Sequence, residues 1–251
     1  MVTKISRQAM IIDFVSKGGS LEVVDLAAHL NVSGETIRRD IKELQSKGLV
    51  TKVHGGVTVR RNLSNTAFHD RLKLNSDAKI RIGEKISSIV GDGDSLIIEA
   101  GSTSTYVAQA LTARKNLTVV TNSVDVARSV AFREDNSVYM AGGKLTADDG
   151  AALDLSAAEY VRRFRMKYAI FSVAGIDVDD GLTSNSVAEA EFSRLSVSRV
   201  EIPILAVDSS KFGMRGLAQT VSPSAIRIVV TDASLTKEYR SLFENAEIMK
   251  V

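Results

Sequence analysis

The chain has 251 residues, 44% hydrophobic and 25% charged, an ordinary globular composition that argues against disorder and against a membrane protein. With no cysteine it has no disulfide, thiolate metal site or cysteine nucleophile, and with two prolines and no tryptophan it suits a helix-rich α/β fold. The net charge of +2 is uneven: residues 1–61 carry ten Lys+Arg against six Asp+Glu, and the remainder carries 22 against 24. A basic head on a mildly acidic body fits a nucleic-acid module joined to a sensor or enzyme, although a chance fluctuation of a few charges gives the same split.

No apolar run reaches the length of a bilayer span. The opening "MVTKISRQAM" lacks the apolar core of a secretory signal, so a cytoplasmic location without a membrane partner is expected.

The first helical period places Ile11, Ile12 and Val15 on one face and stops at Gly18-Gly19. A second helix carries Val23, Leu26, Ala27 and Leu30 and ends at "NVS", Asn31 to Ser33. There the third begins, "VSGETIRRDIKEL": Ser33 is a good N-cap, and Val32 and Ile37 are spaced as a hydrophobic staple. Ile37, Ile41 and Leu44 continue the buried stripe, which turns Glu35, Thr36, Arg38, Arg39 and Lys42 outward. After Gly48 the period changes to two, and "LVTKVHGGVTV" reads as a hairpin turning at Gly55-Gly56. Three short helices and a hairpin make a winged helix-turn-helix over residues 1–60.

A helix of this kind reads base edges from its N-terminal turns, where arginine can bond guanine O6 and N7 together. The nucleic-acid candidates are therefore Ser33, Glu35, Thr36, Arg38, Arg39 and Lys42 on the helix, with Lys52, His54 and Gly55 on the wing. The plain alternative is a solvated face with pairs such as Glu35–Arg39 and Arg39–Glu43. The order of helix, turn, capped helix and Gly-Gly hairpin favours DNA.

Residues 61–76 are polar and without a period, which predicts a linker. A long helix, "DAKIRIGEKISSIV", opens a second domain over 77–251. Apolar strand runs then alternate with helical patterns. The strands are expected at 95–99, 117–121, 137–141, 168–173, 202–207, 226–231 and 247–251, with helices at 103–111, 124–131, 187–198 and 237–244. Strict alternation predicts a Rossmann-like α/β domain with a mostly parallel sheet covered on both faces.

In such sheets ligands bind beyond the carboxyl ends of the strands. The ends here are polar and small: "EAGSTST" from Glu99, with Gly101, Ser102, Thr103 and Ser104 opening a helix; "TNS", with Asn122 and Ser123; "GGK", with Gly143 and Lys144; "SVAGID", with Ala174, Gly175 and Asp177; and "DSSKFG", with Asp208 and Lys211. Each has a dull explanation as cap, turn or surface charge. Together, two lysines and a Gly-Ser-Thr helix start suit a small phosphorylated, polyhydroxylated ligand.

"LAAHLNVSGETIRRDIKELQSKGLVTKVHGG" closely resembles the signature of the DeoR family, bacterial repressors of sugar operons. "AGSTS", "TNS", "AGG", "AGID…GLT" and "DSSKFG" resemble that family's sensor domain, similar in fold to sugar-phosphate isomerases such as ribose-5-phosphate isomerase; Phe68, Arg71 and Lys79 fit it too. The resemblance implies a repressor that binds double-stranded operator DNA and is released by a phosphorylated sugar or sugar-derived effector. It places Thr36, Arg38 and Arg39 on the DNA-contacting helix, with Asp40 as a structural partner of the arginines. The phosphate loop falls at Gly101–Ser104, and the sugar-facing residues are Asn122, Lys144, Asp177 and Lys211. Two positions depart from the family: Glu99 stands where Asp is common, and Ser193, beside Arg194, where a lysine is familiar.

The chief rival is a sugar-phosphate isomerase-like enzyme with an accessory DNA-binding head, drawing its base from Glu99, Asp177 or Asp208. All three histidines, His29, His54 and His69, lie in the head or linker, which counts against a His-dependent deaminase. A winged helix that binds protein is a third class. Helix-turn-helix readers usually pair on two-fold half-sites, so a homodimer or homotetramer is expected. No catalytic residue, cofactor or metal is expected.

Overall fold

The computed structural model describes residues 4, 7, 8, 10, 11, 14, 20–46, 50–53, 56–59, 67–133 and 135–251, and for positions 20, 21, 46, 50–53 and 56–59 the backbone only. The chain divides into two units, Met1–Leu63 and Ser64–Val251.

In the first unit, Lys4, Arg7, Gln8, Met10, Ile11 and Phe14 have helical backbone, while Ile12, Val15, Gly18 and Gly19 lie outside the described residues. There follow β1 (Ser20–Glu22), α1 (Val23–Leu30), α2 (Gly34–Ser46), β2 (Val50–Val53) and β3 (Gly56–Val59). Asn31 ends α1 with φ 51°, a left-handed conformation that Asn tolerates. The stripe read from the sequence is the core: Leu26, Leu30, Ile37, Ile41 and Leu44 are buried with Ile11, and Val32 packs against them. The wing is antiparallel, with Val53 paired to Gly56, and positions 54 and 55 lie outside the described residues. β1 joins the hairpin as a third strand on β3. Three residues are too few to show a period, so nothing in the sequence announces this strand.

The second unit begins with α3 (Phe68–Lys73), inside the segment read as a linker. Phe68 is 3% exposed; a single buried aromatic anchors this turn where no period announces it. Then come α4 (Ser76–Ile89), β4 (Ser95–Ile98), α5 (Ser102–Ala110), β5 (Thr118–Thr121), α6 (Val124–Ala131), β6 (Ser137–Met140), α7 (Leu155–Val161), β7 (Met166–Phe171), β8 (Gly175–Asp177), β9 (Gly181–Ser184), α8 (Val187–Ser198), β10 (Val200–Ala206), β11 (Ala218–Gln219), β12 (Ile228–Thr231), α9 (Lys237–Leu242) and β13 (Glu247–Lys250). The seven expected strands form one sheet in the order β13-β12-β10-β7-β4-β5-β6, with every neighbouring pair parallel.

Both faces of this sheet are buried. Leu96 and Ile98 pack with Ile82, Ile86, Val107 and Val126 on one side. Ile97 packs with Ala157, Val161 and Phe192 on the other. Period-two alternation inside an all-apolar run is what a covered parallel strand requires. β7 starts and ends two residues before the expected run. Met166 pairs with Val200 at its head, and beyond its end the Ala174 N–H bonds Thr183 O in a second, antiparallel sheet, β11-β9-β8.

The main sheet grows outward from β4 in two directions. β5 and β6 lie to one side, while β7, β10, β12 and β13 lie to the other. Between β4 and β7 the connections diverge, so a crevice opens at their carboxyl ends.

Candidate functional sites

On α2 the cap forms as expected: Thr36 N–H donates to Ser33 Oγ at 3.2 Å, and the two hydroxyls lie 2.9 Å apart. Glu35, Arg38, Arg39 and Lys42 are exposed. Arg38 approaches Glu35 at 3.4 Å, but with both side chains largely in water such a pair contributes little. Arg39 has no carboxylate partner among the described residues. Glu43, one turn on, pairs with Lys4 at 2.5 Å. Asp40 corrects an expectation. It is 2% exposed and accepts from Arg7 Nε at 2.5 Å, so it fastens the first segment to α2 and does not brace Arg38 or Arg39. The reason is its side of the helix, facing the core with Ile37 and Ile41. On the wing, Lys52 lies in β2, while His54 and Gly55 lie outside the described residues.

At the carboxyl end of β4, Gly101 caps α5 without a side-chain hydrogen bond, and the first intrahelical bond is Thr105 N–H to Gly101 O. The N–H groups of Ser102, Thr103 and Ser104 have no acceptor among the described residues, which leaves the anion-attracting end of the helix open. Ser102 is half-buried, while Thr103 and Ser104 are buried. A Cβ on Gly101 would lie 4.0 Å from Ser172 Cβ, which brings the loops after β4 and β7 together at the crevice.

Cations gather around Asp208, at the carboxyl end of β10. Lys211, after β10, is 9% exposed; burial lowers its pKa, Asp208 works the other way and Arg71 adds to the lowering. No group among the described residues accepts from its ammonium. Lys79, on α4, is 2% exposed and donates to Leu74 O at 2.7 Å and to Arg71 O. Burial brings it down to about 8, with Asp208 opposing and Lys211 and Arg71 reinforcing. Asp208 is held by Asn75 Nδ2 at 2.8 Å and by the N–H and hydroxyl of Ser210. Arg71 pairs with Asp148 at 3.3 Å and lies 3.8 Å from Asp149. Asn75, Asp148 and Asp149 went unnoticed in the sequence; a lone Asn before a helix and acids in a turn carry no distinguishing pattern.

Several other candidates are occupied by the fold. Asn122, 1% exposed, accepts from Ala100 N–H at 2.9 Å and donates to Ala152 O at 3.0 Å, so both ends of its amide serve as struts. Ser123 caps α6 through Val126 N–H. Gly143 has φ 155°, and a Cβ there would meet Asp154 Oδ1 at 2.2 Å. Asp154 also receives the Lys144 N–H at 2.9 Å, and Lys144 itself is exposed. A Cβ on Gly175 would lie 2.2 Å from Met214 O, so close backbone approach accounts for that glycine. Asp177 accepts from Arg215 at 2.8 Å and from the N–H groups of Asp179 and Asp180. Burial opposes its charge, but these partners outweigh it and hold the pKa below the usual range. Ala174 is half-buried, its N–H taken by Thr183 O.

Glu99 is different. It is 6% exposed and accepts from Ser193 Oγ at 2.7 Å, while its Oε1 has no partner among the described residues. Burial raises it to about 7, the Ser193 and Ser196 hydroxyls working against the rise and nearby Glu189 adding to it. A groove of about 690 Å³ between α7 and α8 has none of these strand-end residues on its walls.

Two family descriptions match the chain: a DeoR-like helix-turn-helix domain over residues 7–65 and a DeoR C-terminal sensor domain over 74–233. Among curated proteins, the glycerol-3-phosphate regulon repressor of Escherichia coli is 34% identical over 223 residues, covering 89% of this chain and 88% of its own. The repressor CsqR of the same organism is 28% identical, covering 96% and 93%. The L-fucose operon activator of Haemophilus influenzae is 29% identical over 98% of both chains. Among solved structures, ribose 5-phosphate isomerase A from Neisseria gonorrhoeae aligns at 19% identity over 55% of this chain and 53% of its own, with a TM-score of 0.40.

Proposed function

The chain belongs to the DeoR family, and from that premise we propose that it is a transcriptional repressor of a carbohydrate-catabolism operon, controlled by a phosphorylated sugar or sugar-derived effector. Residues 1–60 bind operator DNA through Arg38, Arg39 and Lys42 of α2 and through the wing. Residues 77–251, together with α3 in the same unit, hold the effector. The repressor acts in the cytoplasm as a homodimer or homotetramer on two-fold operator half-sites.

The observation that carries the effector half is Lys211. Burial disfavours the charge of the Lys211 ammonium, which donates to no group among the described residues, and neighbouring Lys79 and Arg71 add like charge. A phosphate at the open end of α5 would relieve that cost with charge-assisted bonds. Gly101, Ser102 and Thr103 are its loop; Asn122, Ser123, Gly143, Gly175 and Asp177 shape the surroundings.

The test uses the full chain and a duplex recovered from a random-sequence pool. Log affinity should fall linearly with log salt, and a panel of phosphorylated sugars, with glycerol 3-phosphate included, should shift the affinity. Lys211→Met should abolish that shift and leave DNA binding intact. A chain that enriches no duplex sequence contradicts the reading; effector-enhanced binding would make it an activator. The isomerase reading draws its support from Glu99, a buried carboxyl near neutrality of the sort a general base needs, and turnover of a bound sugar phosphate would favour it.

A further inference from the structure

Two buried side-chain atoms of the effector unit lack any hydrogen-bond partner among the described residues, Glu99 Oε1 and Ser104 Oγ. They flank one loop: Glu99 follows β4, and Ser104 sits in the first turn of α5. Glu99 is 6% exposed and Ser104 0%. Buried polar atoms are nearly always paired, so two orphans on one loop point to a group the chain itself does not supply.

The surroundings say what kind of group. Two neutral hydroxyls stand beside Glu99: Ser193 donates to its Oε2, and Ser196, close enough to favour the carboxylate, gives its own hydrogen to Phe192 O. The charged side chain that bears most on Glu99 is Glu189, another carboxylate. Glu189 in turn has Asp149 and Arg71 near it, and Arg71 is already engaged by Asp148 and Asp149. This end of the site therefore has carboxylates in excess. Arg71 links these carboxylates to a second cluster, Lys211 and Lys79 around Asp208, where ammonium groups are in excess. A ligand that is only an anion satisfies one end and repels the other.

We propose that the effector carries an ammonium as well as a phosphate: an amino-sugar phosphate or amino-polyol phosphate, its phosphate toward Lys211, Lys79 and the start of α5, its ammonium toward Glu99 and Ser104. The proposal rests on the sugar-phosphate reading above and narrows it. A hydroxyl has one hydrogen to donate, whereas an ammonium has three, enough for both orphan oxygens, and it also brings the charge that two neighbouring carboxylates lack.

Calorimetry on the full chain with matched pairs tests this: glucosamine 6-phosphate against glucose 6-phosphate, and galactosamine 6-phosphate against galactose 6-phosphate. In at least one pair the amine should bind about tenfold tighter or better, the scale of a desolvated charge pair. Glu99→Gln should bring that ratio to about one with the neutral sugar phosphate changed less than the amine. Ser193→Lys, which sets an ammonium beside Glu99, should do the same and serves if the Gln variant fails to fold. Equal affinities within both pairs, or a preference that survives both variants, overturn the proposal. Binding of neutral sugar phosphates alone also overturns it and leaves the parent reading standing. If no phosphorylated ligand binds, the parent reading falls with it.

Discussion

Replacing Glu99 with Gln should change how the sensor unit's stability depends on pH. Burial raises the carboxyl from 4.5 to about 7 in the folded chain. Between those values the folded chain keeps a proton that the unfolded chain has released. Stability from this group is therefore present at low pH and is lost as pH rises toward and through 7. From pH 5 to pH 8 the loss amounts to about 2–3 kcal/mol. Gln cannot ionise, so the variant should gain about 2–3 kcal/mol on the wild type over that interval, the other titrating groups cancelling in the comparison. The assay is denaturant unfolding at the two pH values, followed by tyrosine fluorescence. All five tyrosines, Tyr106, Tyr139, Tyr160, Tyr168 and Tyr239, belong to the Ser64–Val251 unit and tryptophan is absent, so the signal reports this unit alone. A stability difference between variant and wild type that is the same at pH 5 and pH 8 would refute the account of Glu99.

Arg38→Ala and Arg39→Ala should each weaken operator binding about tenfold, each lost phosphate contact lowering the salt slope by about 0.9; unchanged affinity for both in an anisotropy titration would remove α2 from the interface. Asp40→Ala should lower the melting midpoint of the DNA-binding unit by circular dichroism without moving the tyrosine transition, because it strands Arg7 and not a sensor residue. Asn122→Ala should cost the sensor unit about 2–4 kcal/mol, since it strands both the Ala100 N–H and the Ala152 carbonyl. A sugar-facing Asn122 would instead lose effector affinity at undiminished stability.

The seven parallel strands were legible because each is an apolar run between helical patterns, and a strand covered on both faces needs nothing more subtle. β8, β9 and β11 were not. "GID", "GLTS" and "AQ" are too short to show a period, and their pairing depends on β7 ending where Ala174 meets Thr183. α7, seven residues behind an Asp154 cap, is not among the helices expected from the sequence. At the site, the sequence showed which residues stand at strand ends but not which of them the fold occupies. Asn122 and Asp177 are committed to partners 30 and 38 residues away, contacts that local pattern cannot reveal. Glu99 and Ser193 stood out as departures from the family pattern, and they turn out to touch.

The sheet's growth in two directions from β4 also bears on how the protein is made. β5 and β6 can pair with β4 almost as soon as they leave the ribosome. The opposite edge of β4, whose Leu96, Ile97 and Ile98 end fully buried, must wait for β7, and α5, α6 and α7 are made first. At ~5–20 residues per second that wait lasts several seconds, with an apolar strand edge open to any other nascent chain. Recombinant yield should therefore respond more to slower synthesis and chaperone supply than the stability of the finished fold would lead one to expect.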